Sequence, residues 1–494
     1  MRSAWAARLI RLVEWACIFA GFQAMLFFVT FWFDPDHPRH WLLFGPLSFA
    51  VLWLFYETGL AWAYQLAVKV PDHRPPTPGR TVDVFTTAAP GEPLEMFERS
   101  LPALRDMRYP HKTHLLDGTG DPAFRALAER LGIVWIDCGG IGGAKAGKVN
   151  YALSQTSGEI VLILDPDHVA QPEFLDRVLG HFDDPEVGFV QVVQGYHNQG
   201  ASWVARAAAE QTYGFYGPVQ MGLNGLGAAI AIGANCTFRR AALESIGGHA
   251  VHLAEDLVTS IRLHAAGWRS VYVPEILARG LVPEDIGAYL SQQIKWACGA
   301  LQALRFEIPK AWWHLRGWQK LTYPINALWY LNGLASTLIL LMPPFFLLSG
   351  RWAVSMRLRD LMLHLAPFLV MFLLIHLLLQ RRLRHRSEWG LQWRGSLLKL
   401  GTWHVYLLAF FNTLLGRGVP YIPTSKTRSR AGALRQVWPT VLVALLGPVA
   451  AVVALQGPLA HFWGTHMMAG FAVANTLLLS PTLAAALPMR RDAS

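Results

Sequence analysis

Three short clusters carry residue types that can do chemistry. In Asp165-Pro-Asp-His168, two carboxylates stand two residues apart directly after the apolar run 161–164. Carboxylates at the carboxyl end of a strand can hold a divalent cation, and the cation can hold a diphosphate. Glu255 and Asp256 precede the apolar-periodic stretch 257–265. That is the pattern of a helix start, where the macrodipole favours negative charge. Gln292-Gln-Ile-Lys-Trp296 lies in a helical pattern that puts Gln292, Lys295 and Trp296 on one face. Taken singly, each cluster has an ordinary reading: a solvated acidic turn, charge matching at a helix start, an amphipathic helix with a buried indole.

The elements that must position these clusters are legible between residues 78 and 305. Short apolar runs at 82–85, 114–116, 133–136, 161–164 and 187–193 alternate with helical patterns such as 122–131 and 172–182. Strand and helix in alternation predict an α/β domain on a mainly parallel sheet. Residues 71–80, rich in Pro and charge, read as a linker into it.

Outside this middle the chain is apolar. Apolar residues make up 53% and charged residues 15% of the 494, where a soluble chain carries roughly 25% charge. A disordered or fibrous chain is excluded, and a purely soluble globule does not fit. Runs 15–33 and 41–68 each reach the length that spans a bilayer, as do 321–348, 361–379, 437–455 and 467–487. Arg2, Arg8 and Arg11 flank the first run, and Lys69, His73 and Arg74 follow the second. The positive-inside rule then makes 1–70 a hairpin with cytoplasmic flanks; a cleaved signal peptide fits less well, because a second span follows at once. Residues 306–320, with Trp312, Trp313 and Trp318 among basic side chains, read as an interfacial helix. Residues 321–380 form a second hairpin, 388–416 an interfacial or membrane helix, and 437–488 a third hairpin. Six spans leave both termini and the α/β domain in the cytoplasm, at an inner (plasma) membrane of bacterial type. Cys17, Cys138, Cys236 and Cys298 are scattered, so neither a disulfide scaffold nor a zinc site is indicated.

Order and spacing of the clusters resemble the processive family 2 membrane glycosyltransferases, the inverting enzymes that include cellulose, chitin and hyaluronan synthases, with the cellulose-synthase-like branch nearest. Asp117 closes His114-Leu-Leu-Asp117 as in the first donor aspartate motif. Lys145-Ala-Gly-Lys-Val-Asn150 resembles KAGNLN, Asp165-Pro-Asp-His168 the DxD motif, Ile232-Gly-Ala-Asn235 the segment that cradles the acceptor end, and Ala254-Glu-Asp256 the TED motif. Gln292 to Trp296 resembles QxxRW, and Tyr421-Ile-Pro-Thr-Ser-Lys426 the FxVTxK gating loop, within 417–435. Departures stand at Pro90, where the family has an aromatic residue, and at Lys148 for Asn, Ala254 for Thr, Lys295 for Arg, Tyr421 for Phe and Pro423 for Val. Lysine for arginine keeps charge but loses the bidentate fork.

The resemblance implies a GT-A-type, Rossmann-like cytosolic domain inserted in a helical transmembrane bundle. It implies Mg²⁺ or Mn²⁺ on Asp165 and Asp167, with Asp83, Asp117, Lys145, Gln292, Lys295, Thr424 and Lys426 on a UDP-sugar donor, UDP-glucose first. For Asp83 a plain strand-start aspartate is the equal alternative. Asp256, with Glu255 beside it, would be the catalytic base; Trp296, Gly233, Asn235 and His168 would face the acceptor. The implied activity is polymerisation of a β-glucan, β-1,4 first and β-1,3 or mixed linkage second, with the glycan passing through the protein's own channel. Glu57, Tyr64, Asn326, Tyr330, Asn332 and His404 are candidate channel residues. Implied partners are the growing glycan, the bilayer and export proteins, and no nucleic acid. No cyclic-dinucleotide-binding domain is expected after residue 430. The alternatives are a non-processive, glycolipid-forming transferase and a membrane scaffold with a degenerate transferase domain.

Overall fold

The computed structural model describes residues 2–383, 385–417 and 433–487. They fall into two compact units.

The larger unit comprises Ala67–Tyr330 and Ala409–Ser429. Its strands are β1 (Val82–Ala88), β2 (Lys112–Asp117), β3 (Val134–Asp137), β4 (Ile160–Leu164), β5 (Val169–Ala170), β6 (Val187–Val192), β7 (Gly195–Tyr196), β8 (Cys236–Arg239), β9 (Arg269–Val273) and β10 (Ala278–Gly280). Seven form one sheet in the order β3-β2-β1-β4-β8-β6-β9, and three form another in the order β5-β10-β7. The expected mainly parallel sheet is present: β1 is parallel to β2 and β4, β2 to β3, and β6 to β9. Only β8 is reversed within it, antiparallel to both β4 and β6. The chain leaves β1 outward through β2 and β3 and then returns to place β4 on the other side. The crevice between β1 and β4 is therefore a topological switch point, where open α/β sheets bind ligands.

Burial explains the apolar runs. Along β4, Ile160, Leu162 and Leu164 join the core on one face of the sheet, and Val161 and Ile163 join the core on the other. A strand covered on both faces has no polar position, so it reads as an unbroken apolar run.

The smaller unit comprises Met1–Leu66, Leu331–Leu408 and Arg430–Ser494. Among the described residues six helices are long and apolar enough to cross a membrane: Arg8–Trp32, Trp41–Leu66, Gln319–Ser349, Leu358–Arg382, Trp438–Gln456 and Trp463–Ala486. Six such helices mark an integral membrane protein. Ile18, Phe28, Trp62, Phe368 and Ile375 form one of the smaller unit's apolar cores. Buried Glu14 accepts hydrogen bonds from Arg381 at 3.0 Å and Arg382 at 2.9 Å. Glu57 accepts from Asn332 Nδ2 at 3.0 Å and from Lys399 Nζ at 2.8 Å. An ion pair among apolar helices is retained because each charge would be costly alone.

Two helix expectations change. The single helix expected over 306–320 is a π-turn (Ala303–Glu307), one short helix (Ile308–Ala311) and then turns as far as Gln319. Gly317 has a φ of 47°, which a right-handed helix cannot contain. The stretch 388–416 holds two helices, Trp393–Gly401 and Trp403–Leu414. They part at Thr402, whose hydroxyl donates to Leu398 O at 2.7 Å.

Replacing Glu57 with Ala should remove the Lys399–Glu57 ion pair and destabilise the detergent-solubilised protein by about 3 kcal/mol, read as a lower melting temperature. The double variant E57A/K399M should recover most of the loss; no recovery would assign the effect to packing instead.

Candidate active site

β4 runs into Asp165, and the amide of His168 donates to Asp165 O at 3.0 Å, closing a tight turn. That turn folds both carboxylates and the imidazole back beyond the sheet's edge. Asp167, buried, accepts from the Leu281 amide at 2.8 Å and lies 3.3 Å from His168 Nδ1. β5 and β10 pair directly behind this turn. The His168 ring packs on Gly280 so closely that a Cβ there would lie 2.6 Å from Nε2; only glycine fits. Ligand atoms of Asp165, Asp167 and His168 come within 4.8 Å of one another. His168 Nε2 is buried without a hydrogen-bond partner, a cost that a bound ion or water would remove. A set dominated by carboxylates fits Mg²⁺ or Mn²⁺. His168, expected beside the acceptor, is thus grouped with the two aspartates.

Lys145 Nζ bonds both the Asp165 carboxylate and the Gly233 carbonyl. Gly233 has a φ of 80°, and a Cβ on it would stand 3.2 Å from Asp256 Oδ2. One lysine therefore joins the DxD turn to the loop against which Asp256 rests. Gln191 templates that loop: its Oε1 accepts from the Ile232 amide at 2.9 Å, and its Nε2 donates to Ala234 O at 2.8 Å. Sequence reasoning missed Gln191. The available signal was a fully buried amide inside the apolar run 187–193.

Asp256 and Glu255 open the helix Glu255–Ala265. Asp256 Oδ1 accepts from the Leu257 amide at 2.7 Å. Ser260 donates to Asp256 O and accepts from the Ala231 amide, each at 2.9 Å, so loop and helix move as one. Both carboxylates touch solvent but sit deep among protein atoms. That burial, and then the charge of Asp256, push Glu255 up to about 7, with Lys145 opposing. Burial also raises Asp256, against the Leu257 amide and Lys145.

The helix Ile286–Gln302 starts at Asp285, which caps the Ala288 amide at 2.9 Å. It passes so near Ala254 that a Cβ on Gly299 would lie 2.7 Å from Ala254 Cβ. Gln292 and Trp296 line a small cavity of about 30 Å³ together with Tyr196, Gln211, Leu281 and Tyr289. Leu281 is also the residue whose amide holds Asp167, so one strip of chain touches both clusters. Trp296 is 36% exposed. Lys295, on the same helix face, is partly buried.

Asp117 ends β2, and its carboxylate is buried and engaged: Thr119 donates from N at 2.8 Å and from Oγ1 at 2.7 Å, and Trp135 Nε1 at 3.0 Å. Two candidate residues stand apart from this grouping. Asp83 sits near the start of β1, whereas the switch point is at its carboxyl end, five residues on and about 16 Å away. There it pairs with Arg240 and His114, each at 3.0 Å, and with the Gly158 amide at 2.7 Å. These partners overcome burial and hold its pKa below the usual carboxylate range. Asp83 ties the sheet together at the end of β1 away from the switch point, as the plain strand-start reading has it. Asn235 is wholly buried, so contact with a sugar is closed to it. Its φ is 58°, a left-handed conformation that asparagine tolerates. Thr424 and Lys426 lie outside the described residues.

Residues 160–455, more than half of the chain, match the model of glycosyl transferase family group 2. The chain belongs to this family. A UDP-forming cellulose synthase catalytic subunit of Pseudomonas fluorescens (strain SBW25) is 30% identical over 319 residues, which are 63% of this chain and 43% of that protein. Cellulose synthase 1 of Komagataeibacter xylinus is 30% identical over 294 residues, 57% of this chain and 19% of that protein. The family 2 chain thus spans less than half the length of these relatives. Among solved structures, the mannosyltransferase PcManGT of Pyrobaculum calidifontis, in complex with GDP-Man and Mn²⁺, matches with a TM-score of 0.51 at 18% identity. That match covers 76% of this chain and 100% of that one, a likeness of fold.

Asp83→Asn should cost about 3 kcal/mol by removing the buried carboxylate that pairs with the Arg240 guanidinium, while the KM for donor stays within twofold. A large rise in KM at unchanged melting temperature would return Asp83 to the donor pocket.

Proposed function

We propose that the chain is a processive, inverting, metal-dependent β-glucosyltransferase. It takes glucose from UDP-glucose, extends a β-1,4-glucan and passes the product across the bilayer through its own membrane helices. The larger unit works in the cytoplasm, at an inner membrane. The observation that carries the reading is the contact chain Asp165–Lys145–Gly233–Asp256. It supports the reading because it joins the residues that would hold a cation and diphosphate to the carboxylate that would act as base.

The reaction needs a stronger nucleophile than a sugar hydroxyl and relief of charge on a departing diphosphate. Asp165 and Asp167, with His168, would hold the divalent cation, which when bound neutralises developing charge on the diphosphate. Lys145 and Lys295 add fixed positive charge on the donor side, and Asp117 orders the loop after β2. Gln292 shares the Trp296 face and orients the donor from the acceptor side. Asp256 takes the acceptor hydroxyl's proton as that oxygen attacks the anomeric carbon. The carbon–oxygen bond to the diphosphate breaks, and inversion of an α-linked donor gives a β-linkage. Glu255, raised towards neutrality, keeps a second full negative charge away from Asp256. The indole of Trp296 offers an apolar face to the terminal sugar of the acceptor, and Gly233 leaves room beside the base.

Product size decides between polymerisation and single transfer to a lipid. Purified protein given radiolabelled UDP-glucose should yield a long glucan that a β-1,4-specific glucanase degrades; one glucose on a lipid would overturn processivity. Asp256→Asn should lower turnover about 10²–10⁴-fold with the dissociation constant for UDP-glucose nearly unchanged, and near-normal turnover would remove Asp256 from its role. Because burial raises Asp256 and the base works deprotonated, wild-type turnover should fall on acidification through a pH above the ordinary carboxylate range. An acid limb at or below pH 4 would contradict this.

A further inference from the structure

Lys148 stands one helical turn beyond Lys145 on the helix Ala144–Gln155, and the mechanism above does not use it. It is a lysine where the family pattern has asparagine, and only 8% of its surface is exposed. Its Nζ donates to the carbonyl of Ala88, the last residue of β1. It also lies against Gly118, where a Cβ would be 2.6 Å from Lys148 Cε. Ala88 and Asp117 are register partners at the ends of β1 and β2, so the ammonium sits on the carboxyl edge between these two strands.

Asp165 follows β4, on the far side of β1. From β4 to β2 is two strand spacings, about 10 Å. A nucleoside diphosphate held by its phosphates at Asp165 and laid along this edge carries its base over β1 and β2. An ammonium has three N–H donors and no acceptor. Among the described residues Ala88 O is the hydrogen-bond acceptor that Nζ meets, which leaves N–H donors in a largely buried place. Burial lowers the pKa of this ammonium, and Cys138, Glu92 and Asp117 oppose that shift. The site therefore asks for an oxygen acceptor from a ligand.

We propose that Lys148 is a specificity-determining residue that reads the donor's base. It donates to a carbonyl oxygen of a uracil and disfavours cytosine, which turns an amino group to the same edge. This deepens the donor-site reading above and rests on it. The chemistry is recognition only, and no bond changes.

The test is isothermal titration of the purified full chain with UDP and with CDP in Mn²⁺. Wild type should favour UDP by about 10-fold or more, the cost of opposing two buried donors. Lys148→Asn, whose amide both donates and accepts, and Lys148→Met, which keeps bulk without N–H, should each bring the two affinities within about threefold. Lys148→Arg should keep the preference for UDP and serves as the folded control. An unchanged preference in the Asn and Met variants, or a wild type that binds both nucleotides alike, would overturn the inference and leave Lys148 as a strut on Ala88. A wild type that binds neither nucleotide would overturn the donor-site reading itself.

Discussion

A crowd of negative charge at the end of one sheet is the constraint on which the site depends. Asp165, Asp167, Glu255 and Asp256 converge there with little water to screen them, and like charges so placed repel and lose hydration. Lys145 answers part of that cost by bonding Asp165 and the Gly233 carbonyl together. The Leu281 and Leu257 amides answer more, one on Asp167 and one on Asp256. What stays uncompensated, the orphaned His168 nitrogen and the raised carboxyl of Glu255, is the part that a cation and a reacting hydroxyl can use. The site is thus incomplete by electrostatics alone, and on the proposed reading its substrates would supply the missing partners.

The scaffold makes that placement cheap. Parallel strands end at one edge, and the return of the chain from β3 to β4 opens a crevice there. Helix starts then bring backbone N–H groups to the same side, which suits anions. Gly280 and Gly233 let side chains press against bare backbone, so His168 and Asp256 are held by contact and not by length of side chain. Ser260 and Gln191 fix the intervening loop from below. Family membership accords with this economy: the residues that touch the chemistry are few, and most of the architecture serves to hold them.

Much of this was legible in the sequence because the signals were local. An unbroken apolar run ending in two aspartates reads as a covered strand delivering carboxylates to an edge, and β4 is that strand. Glu255 and Asp256 at the head of a periodic stretch fixed their helix for the same reason. What failed was non-local. Nothing in the order of residues says at which end of β1 an aspartate does its work, so Asp83 could be read for the wrong edge until Arg240, 157 positions away, was seen beside it. Asn235 looked like a sugar contact because motifs do not report burial. The reversed strand β8 was hidden because four residues make too short a run to stand out from the loop before it. Residues 306–320 looked helical by composition, yet the helix ends at Ala311 and Gly317 in the left-handed region bars its resumption before Gln319.

The central claim is that Asp165, Asp167 and His168 form one cation site completed by the diphosphate of a nucleotide. Titration of Mn²⁺ followed by electron paramagnetic resonance, with and without UDP, tests it most directly. Wild type should bind Mn²⁺ much more tightly when UDP is present, and Asp167→Asn should abolish that enhancement while the protein stays folded. Equal Mn²⁺ binding by the two proteins, or binding indifferent to UDP, would contradict the account.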